Sequence, residues 1–173
     1  SGFITQLLRS ARSSKDQYRF IEVDISELVV TTMEYLMIIA ESQGIYLEDD
    51  IEPGLWSKID VKYFEEALVN ILSNAIKYKR DGIIHRVSLR LNSNETHCII
   101  SIKDNGVGIE RGQQKYIFDR WYRADTLTKG SGLGLSIAHN IITDHGGVIT
   151  LKSTKGEGST FIIKIPLCKK KAD

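Results

Sequence analysis

Between Phe20 and Leu167 strand-like and helix-like stretches alternate in the order βα, ββα, ββ, α, ββ, and this order limits the architecture more than any single motif. FIEVDI alternates as a strand, and Ser26 with Glu27 offers a helix start. ELVVTTMEYLMIIAESQG then keeps helical periodicity until Gly44 supplies a C-terminal stop. IYLEDDI and LWSKID read as two short strands joined around Pro53-Gly54. Asp60 caps a second helix, VKYFEEALVNILSNAIKYK. HRVSLRLN and THCIISIKD form a hairpin with its turn at Asn92 to Glu95. A third helix, LGLSIAHNIITDH, ends at Gly146-Gly147 and leads into VITLKST and TFIIKIP. With the strands mostly in antiparallel hairpins, the expected class is α+β, with helices on one face of a mixed sheet rather than both faces of a parallel one.

Bulk composition agrees with one globular domain. The chain has 173 residues, 42% of them apolar and 26% charged, with 2 prolines and 14 glycines. A net charge of +1 argues against nucleic acid as a partner, because nucleic-acid binding normally shows a basic excess. Cys98 and Cys168 form no CxxC and have no histidine at metal-ligand spacing, so neither a zinc site nor a disulfide framework is expected; a reducing compartment is. No apolar run reaches the roughly 20 residues that span a bilayer. Ser1-Gly2 has the look of a cloning scar. FITQLLRSAR carries a helical stripe at Ile4, Leu7, Leu8 and Ala11, SSKDQ reads as a linker, and KKK at 169–171 as a solvated tail.

Three stretches carry chemistry. On the helix around NILSNAIKYK, taking Asn70 as origin, Asn74 falls near +40°, Lys77 near −20° and Tyr78 near +80°, at roughly 100° per residue. Two amides, an ammonium and a phenol thus share a stripe beside the apolar face of Leu68, Ile71, Leu72 and Ala75. That is either an ordinary solvated stripe or a place where an Asn carbonyl reaches a hydrated Mg²⁺ held by phosphates. In IISIKDNGVGIE a strand runs into Asp104 and a glycine turn, either a plain turn or a carboxylate placed to accept from an exocyclic amine. GSGLGLSIAHN puts Gly130, Gly132 and Gly134 at the entry to a helix, whose unpaired N–H groups suit an anion. It is no P-loop, and a protein-kinase glycine loop fails at Leu135. Arg120 and Arg123, upstream, are either ordinary surface arginines or bidentate donors for the same phosphates.

Together these stretches resemble a known family. NILSNAIKY resembles the N box, DNGVGI the G1 box, IFDRWYR the F box, GSGLGLSIA the G2 box and GEGSTF the last glycine box of the histidine-kinase catalytic and ATP-binding domain, whose fold is shared with gyrase, Hsp90 and MutL. The resemblance covers residues 20–167 and implies a two-layer α/β sandwich of the Bergerat (GHKL) type. Its mixed sheet would have about five strands plus a short hairpin, packed on three helices, with a mobile ATP lid from about Asp119 to Ser131. Residues 20–168 would be the catalytic domain, 1–19 the tail of a phosphoacceptor helix with its linker, and 169–173 a basic tail.

By the same resemblance ATP and Mg²⁺ are the cofactors. Asn74 would hold Mg²⁺ through the phosphates, with Asn70 and Lys77 beside it and Arg123 on the terminal phosphate. Tyr78, Asp104, Gly106, Gly108 and Thr160 would take the base, while Arg120, Gly132, Leu133 and Gly134 would serve the lid and its hinge. Two departures matter. No run like SHELRTP, which carries the accepting histidine in the family, is present, and His85, His97, His139 and His145 are expected to be structural. The related ATPases carry a water-activating glutamate where Asn70 stands, and an amide is no general base.

The resemblance therefore implies transfer of the γ-phosphate to a histidine on a separate two-helix domain, for relay to a response regulator. The alternatives are a GHKL ATPase module and a non-catalytic nucleotide-binding regulatory domain. A monomeric piece of a homodimeric protein is expected, acting on the cytoplasmic side.

Overall fold

The computed structural model describes residues 18–123 and 132–169. Among them are seven strands and three helices: β1 (Ile21–Asp24), α1 (Ile25–Ser42), β2 (Tyr46–Ile51), β3 (Trp56–Ile59), α2 (Val61–Lys77), β4 (Arg86–Ser93), β5 (His97–Asp104), α3 (Gly134–Asp144), β6 (Val148–Thr154) and β7 (Gly158–Cys168). The strands form one mixed sheet in the order β1-β3-β7-β5-β4-β2, with β6 also paired to β7. Only β2 and β4 run parallel; every other pairing is antiparallel. The expected α+β sandwich is the observed class.

The seven strands match the expected five plus a hairpin, and the pairing adds a detail. Although β2 and β3 are adjacent in sequence, β2 pairs with β4 and β3 with β1 and β7. The turn between them is committed elsewhere, to the start of α1. Ile25 N–H donates to Leu55 O, while Ser26 Oγ donates to Glu52 O and accepts from Leu55 N–H. Ser26 is therefore buried inside the first turn, and the cap is Asp24, whose carboxylate accepts from Ser26 N–H and Glu27 N–H. Asp60 caps α2 as expected, accepting from Tyr63 N–H at 3.1 Å.

Period-2 alternation divides the sheet into two faces. Val87, Leu89, Leu91, Cys98, Ile100, Ile102, Phe161, Ile163 and Ile165 point inward against Phe64, Leu68, Ile71 and Leu72 of α2, Ile141 and Ile142 of α3, and Val29, Met33 and Leu36 of α1. Arg90, Lys103 and Lys164 stand on the open face. Cys98 and Cys168 are both free.

The far ends of α2 and α3 meet at His145, which is 6% exposed. Its Nε2 accepts from Asp60 N–H at 3.0 Å, so the ring proton lies on Nδ1, donated to Ile141 O at 2.7 Å. The rings of Tyr18, Phe20 and Phe64 surround it. Burial holds the imidazole pKa below its usual value, outweighing the nearby Ile141 carbonyl and the carboxylates of Asp60 and Asp144. A histidine depressed in the folded state contributes stability that is complete above its unfolded pKa and is lost as pH falls through the folded one. Urea unfolding is therefore expected to show a larger loss of stability between about pH 7.5 and pH 5 for the native chain than for His145→Gln, since only the former carries the buried imidazole.

Candidate functional site

Burial of the apolar face of α2 turns Asn70, Asn74 and Lys77 toward a cleft of about 240 Å³ between α2, α3 and the ends of β5 and β7. Tyr78 closes the helix, donating its N–H to Asn74 O at 3.1 Å and lining the cleft itself. The Lys77 ammonium lies 5.0 Å from the centre of the Tyr78 ring, a cation–π contact. Helix and glycine turn are in backbone contact, with Val107 N–H donating to Tyr78 O at 3.1 Å. Gly106 permits that approach, since a Cβ there would collide with the same carbonyl.

Asp104, at the end of β5, is 6% exposed and faces the cleft. Its Oδ1 accepts from Gly106 N–H at 2.8 Å, and the Ser159 backbone lies near enough to favour the charged carboxylate. Desolvation nonetheless dominates and raises its pKa above the usual carboxylate range, against the pull of those groups and of His85. A carboxylate left under-solvated in a cleft is poised for a donor from outside the protein. Gly108, at φ 63°, packs on Thr154 O in the β6–β7 turn where no side chain would fit.

Thr160 does not share this wall. Strand alternation points Ser159 and Phe161 into the cleft and Thr160 to the opposite face, between Lys103 and Lys152 in register. The residue of GEGSTF that meets Asp104 is Ser159, directly opposite it across β5 and β7. Thr160, expected to take the base, stands one position further on, and with a period of two it lies on the other face.

At the other end, Arg123, Gly132 and Gly134 line the cleft together with Tyr122. Trp121, at φ 66°, donates its N–H to Gly132 O at 3.1 Å, and Gly132 itself sits at φ 72°. A non-glycine residue held at positive φ stores local strain, here at the foot of the expected lid. Residues 124–131, with Gly130 and Ser131, lie outside the described residues. Among the described residues no side chain caps the start of α3, a helix end of the kind that suits an anion. Gly134 begins that helix beside Asn70, whose Oδ1 would lie 3.5 Å from a side-chain Cβ at this position.

Thus Asn70, Asn74, Lys77, Tyr78, Asp104, Gly108, Arg123, Gly132 and Gly134 come together, and Gly106 supports them from behind. Arg120 is exposed and off the cleft, and Leu133 is fully buried in the core, accepting from Ile137 N–H through its carbonyl. Lys155, Ile117 and Ser159 also line the cleft without having been anticipated. Lys155 lies in a polar turn where nothing local distinguishes it from any surface lysine.

The family profile described as histidine kinase-, DNA gyrase B-, and HSP90-like ATPase matches residues 59–169. The chain belongs to this ATPase family. It is 33% identical over 148 residues to the sensor histidine kinase TmoS of Ectopseudomonas mendocina, covering 83% of this chain and 15% of that protein. It is 35% identical over 150 residues to the sensor histidine kinase RppB of Synechocystis sp., covering 83% of this chain and 32% of that protein. The chain thus spans at most a third of these relatives. Among solved structures, a mycobacterial sensor histidine kinase, MprB, superposes with a TM-score of 0.75 at 27% identity, covering 86% of this chain and 98% of that one. The nucleotide-free catalytic domain of histidine kinase ThkA superposes at 0.73 and 28%, covering 86% and 97%.

For this ATPase-family domain, the two glycines at opposite ends of the cleft separate fold from site. Gly108→Ala, with a strained φ and a backbone collision, is expected to lower stability by about 2 kcal/mol or more. Gly134→Ala meets only ordinary contact at 3.5 Å and should leave stability within about 1 kcal/mol. Thermal melts of the two variants side by side check both outcomes.

Proposed function

We propose that this chain is the catalytic and ATP-binding part of a sensor histidine kinase, transferring the γ-phosphoryl group of Mg-ATP to a histidine on a two-helix domain outside the chain. The observation that carries this reading is the polarity of the cleft. One end offers the acceptor Asp104 beside Tyr78 and Ile109; the other offers Asn70, Arg123 and the start of α3, with Asn74 and Lys77 on the α2 wall of the same cleft. A base with an amino group suits the first and a polyphosphate the second. Phosphoryl transfer asks chiefly for positioning and charge stabilisation, which is what these residues supply.

Mg²⁺ fits the donor set as an ion that arrives with phosphate. Among the described residues no three His, Cys, Asp or Glu side chains are grouped to hold a metal, and Asn74 contributes a single neutral oxygen. That suits a cation which keeps waters and phosphate oxygens as most of its shell. Bound at Asn74, it would supply charge neutralisation at the phosphates.

Asp104 is the one carboxylate lining the cleft among the described residues, and it sits at the base end. Asn70, an amide at the phosphate end, offers no general base to activate water, which favours transfer over the hydrolysis of a GHKL ATPase. No histidine lines the cleft either, so the acceptor comes from elsewhere. We take residues 20–168 as the catalytic domain, working as a monomer in isolation and within a homodimer when joined to its two-helix domain, on the cytoplasmic side, with a response regulator downstream. Among the described residues no helix is long and apolar enough to cross a membrane.

Labelled-phosphate transfer from ATP to the purified two-helix domain of the same kinase tests the reading. Asn74→Ala is expected to cut transfer roughly a hundredfold or more while keeping the native melt, the scale of losing one electrostatic contact to a transferring group. Near-native transfer by that variant would remove Asn74 from the site.

A further inference from the structure

Behind the cleft wall, Ser153 of β6 has a hydroxyl with one proton and more partners than that proton can serve. Its Oγ accepts from Ile109 N–H at 2.8 Å, donates to Gly158 O at 2.9 Å, and lies 2.9 Å from Ser159 Oγ. The backbone N–H can only donate and the carbonyl can only accept. With the Ser153 proton committed to Gly158 O, the third contact must be Ser159 Oγ–H donating to Ser153 Oγ. Both lone pairs of Ser153 are then filled. The Ser159 hydroxyl, 7% exposed and facing the cleft next to Asp104, has its only proton turned away and presents lone pairs alone. Gln114 fixes the arrangement from the other side, its Nε2 donating to Ile109 O and Ser153 O at 2.9 Å each.

We propose that Ser153 is a positioning residue for nucleobase selection: by taking the Ser159 proton, it makes the base end of the cleft an acceptor-only pair, Asp104 and Ser159, which accepts a ring bearing an exocyclic amino group and rejects one bearing a carbonyl there. Two acceptors facing a carbonyl oxygen would leave buried lone pairs opposed and unpaired, and such mismatches discriminate more strongly than shape. Without Ser153 the Ser159 hydroxyl is free to rotate and donate, and that half of the selection is lost. The inference rests on reading the cleft as an ATP site and adds to it a residue outside the cleft lining.

ATP and ITP differ at this position as amine against carbonyl, so the ratio of their Kd values, measured by calorimetric titration with Mg²⁺, reads the effect. The native chain is expected to prefer ATP. Ser153→Ala should shrink that preference about three- to tenfold, the worth of one neutral hydrogen bond. Ser153→Thr, which keeps the hydroxyl, should restore it. In a Ser159→Ala background Ser153→Ala should have no further effect on the ratio. A merely structural Ser153, holding Ile109 in place, would weaken ATP and ITP alike and leave the ratio where it was. An unchanged ratio, additive effects in the double variant, or failure of Ser153→Thr to restore it overturns the inference alone. If Ser153→Ala loses its cooperative melt, Ser153→Cys, with a thiol that is a poor acceptor, carries the same expectation. No binding of either nucleotide by the native chain would instead overturn the ATP reading, and this inference with it.

Discussion

Val107 donates its N–H to Tyr78 O at the end of α2 and accepts from Gly156 N–H in the β6–β7 turn, so the loop after β5 is held between a helix end and a hairpin. Two glycines make this possible, Gly106 against Tyr78 O and Gly108 against Thr154 O. The rest of the site follows from that clamp. It seals one side of the cleft, buries Asp104 beside the Gly106 N–H, and brings Ser159 opposite it. A side chain at either glycine would part the layers where the base end is formed.

Strain and unmet electrostatics gather at this cleft, whereas the remainder of the fold is locally consistent. The core behind α2 is aliphatic and closed, and Asp24 and Asp60 cap their helices with ordinary geometry. Around the cleft, by contrast, Asp104 is under-solvated, Trp121 is held at positive φ, and α3 starts without a side-chain cap among the described residues. On the proposed reading the first and the last of these suit a ligand that brings an amine to one end and negative charge to the other.

Much of this was legible in the chain. The helical stripe of Asn70, Asn74 and Lys77 is fixed by 3.6-residue periodicity, which the buried face of α2 enforces. Asp104 at a strand end and Gly134 at a helix start follow from where periodic segments stop. What escaped depended on register or on distant contacts. Thr160 and Ser159 differ by one residue, and only pairing with β5 decides which faces Asp104. Pro53-Gly54 looks like a hairpin turn, yet the flanking strands part because Ser26 claims its backbone groups. The places of Ser153 behind the cleft and Lys155 in its lining arise from the β6–β7 turn folding over the loop after β5, a contact invisible to local pattern.

The central claim is that the under-solvated carboxylate at the base end is held for a nucleotide's amino group. Calorimetric titration of ATP with Mg²⁺ into the native chain and into Asp104→Asn tests it most directly. One ATP per native chain, with binding weakened at least tenfold in an Asp104→Asn variant that melts no lower than the native chain, is the predicted result. Equal affinity in the two proteins, or no heat of binding in the native chain, would contradict it.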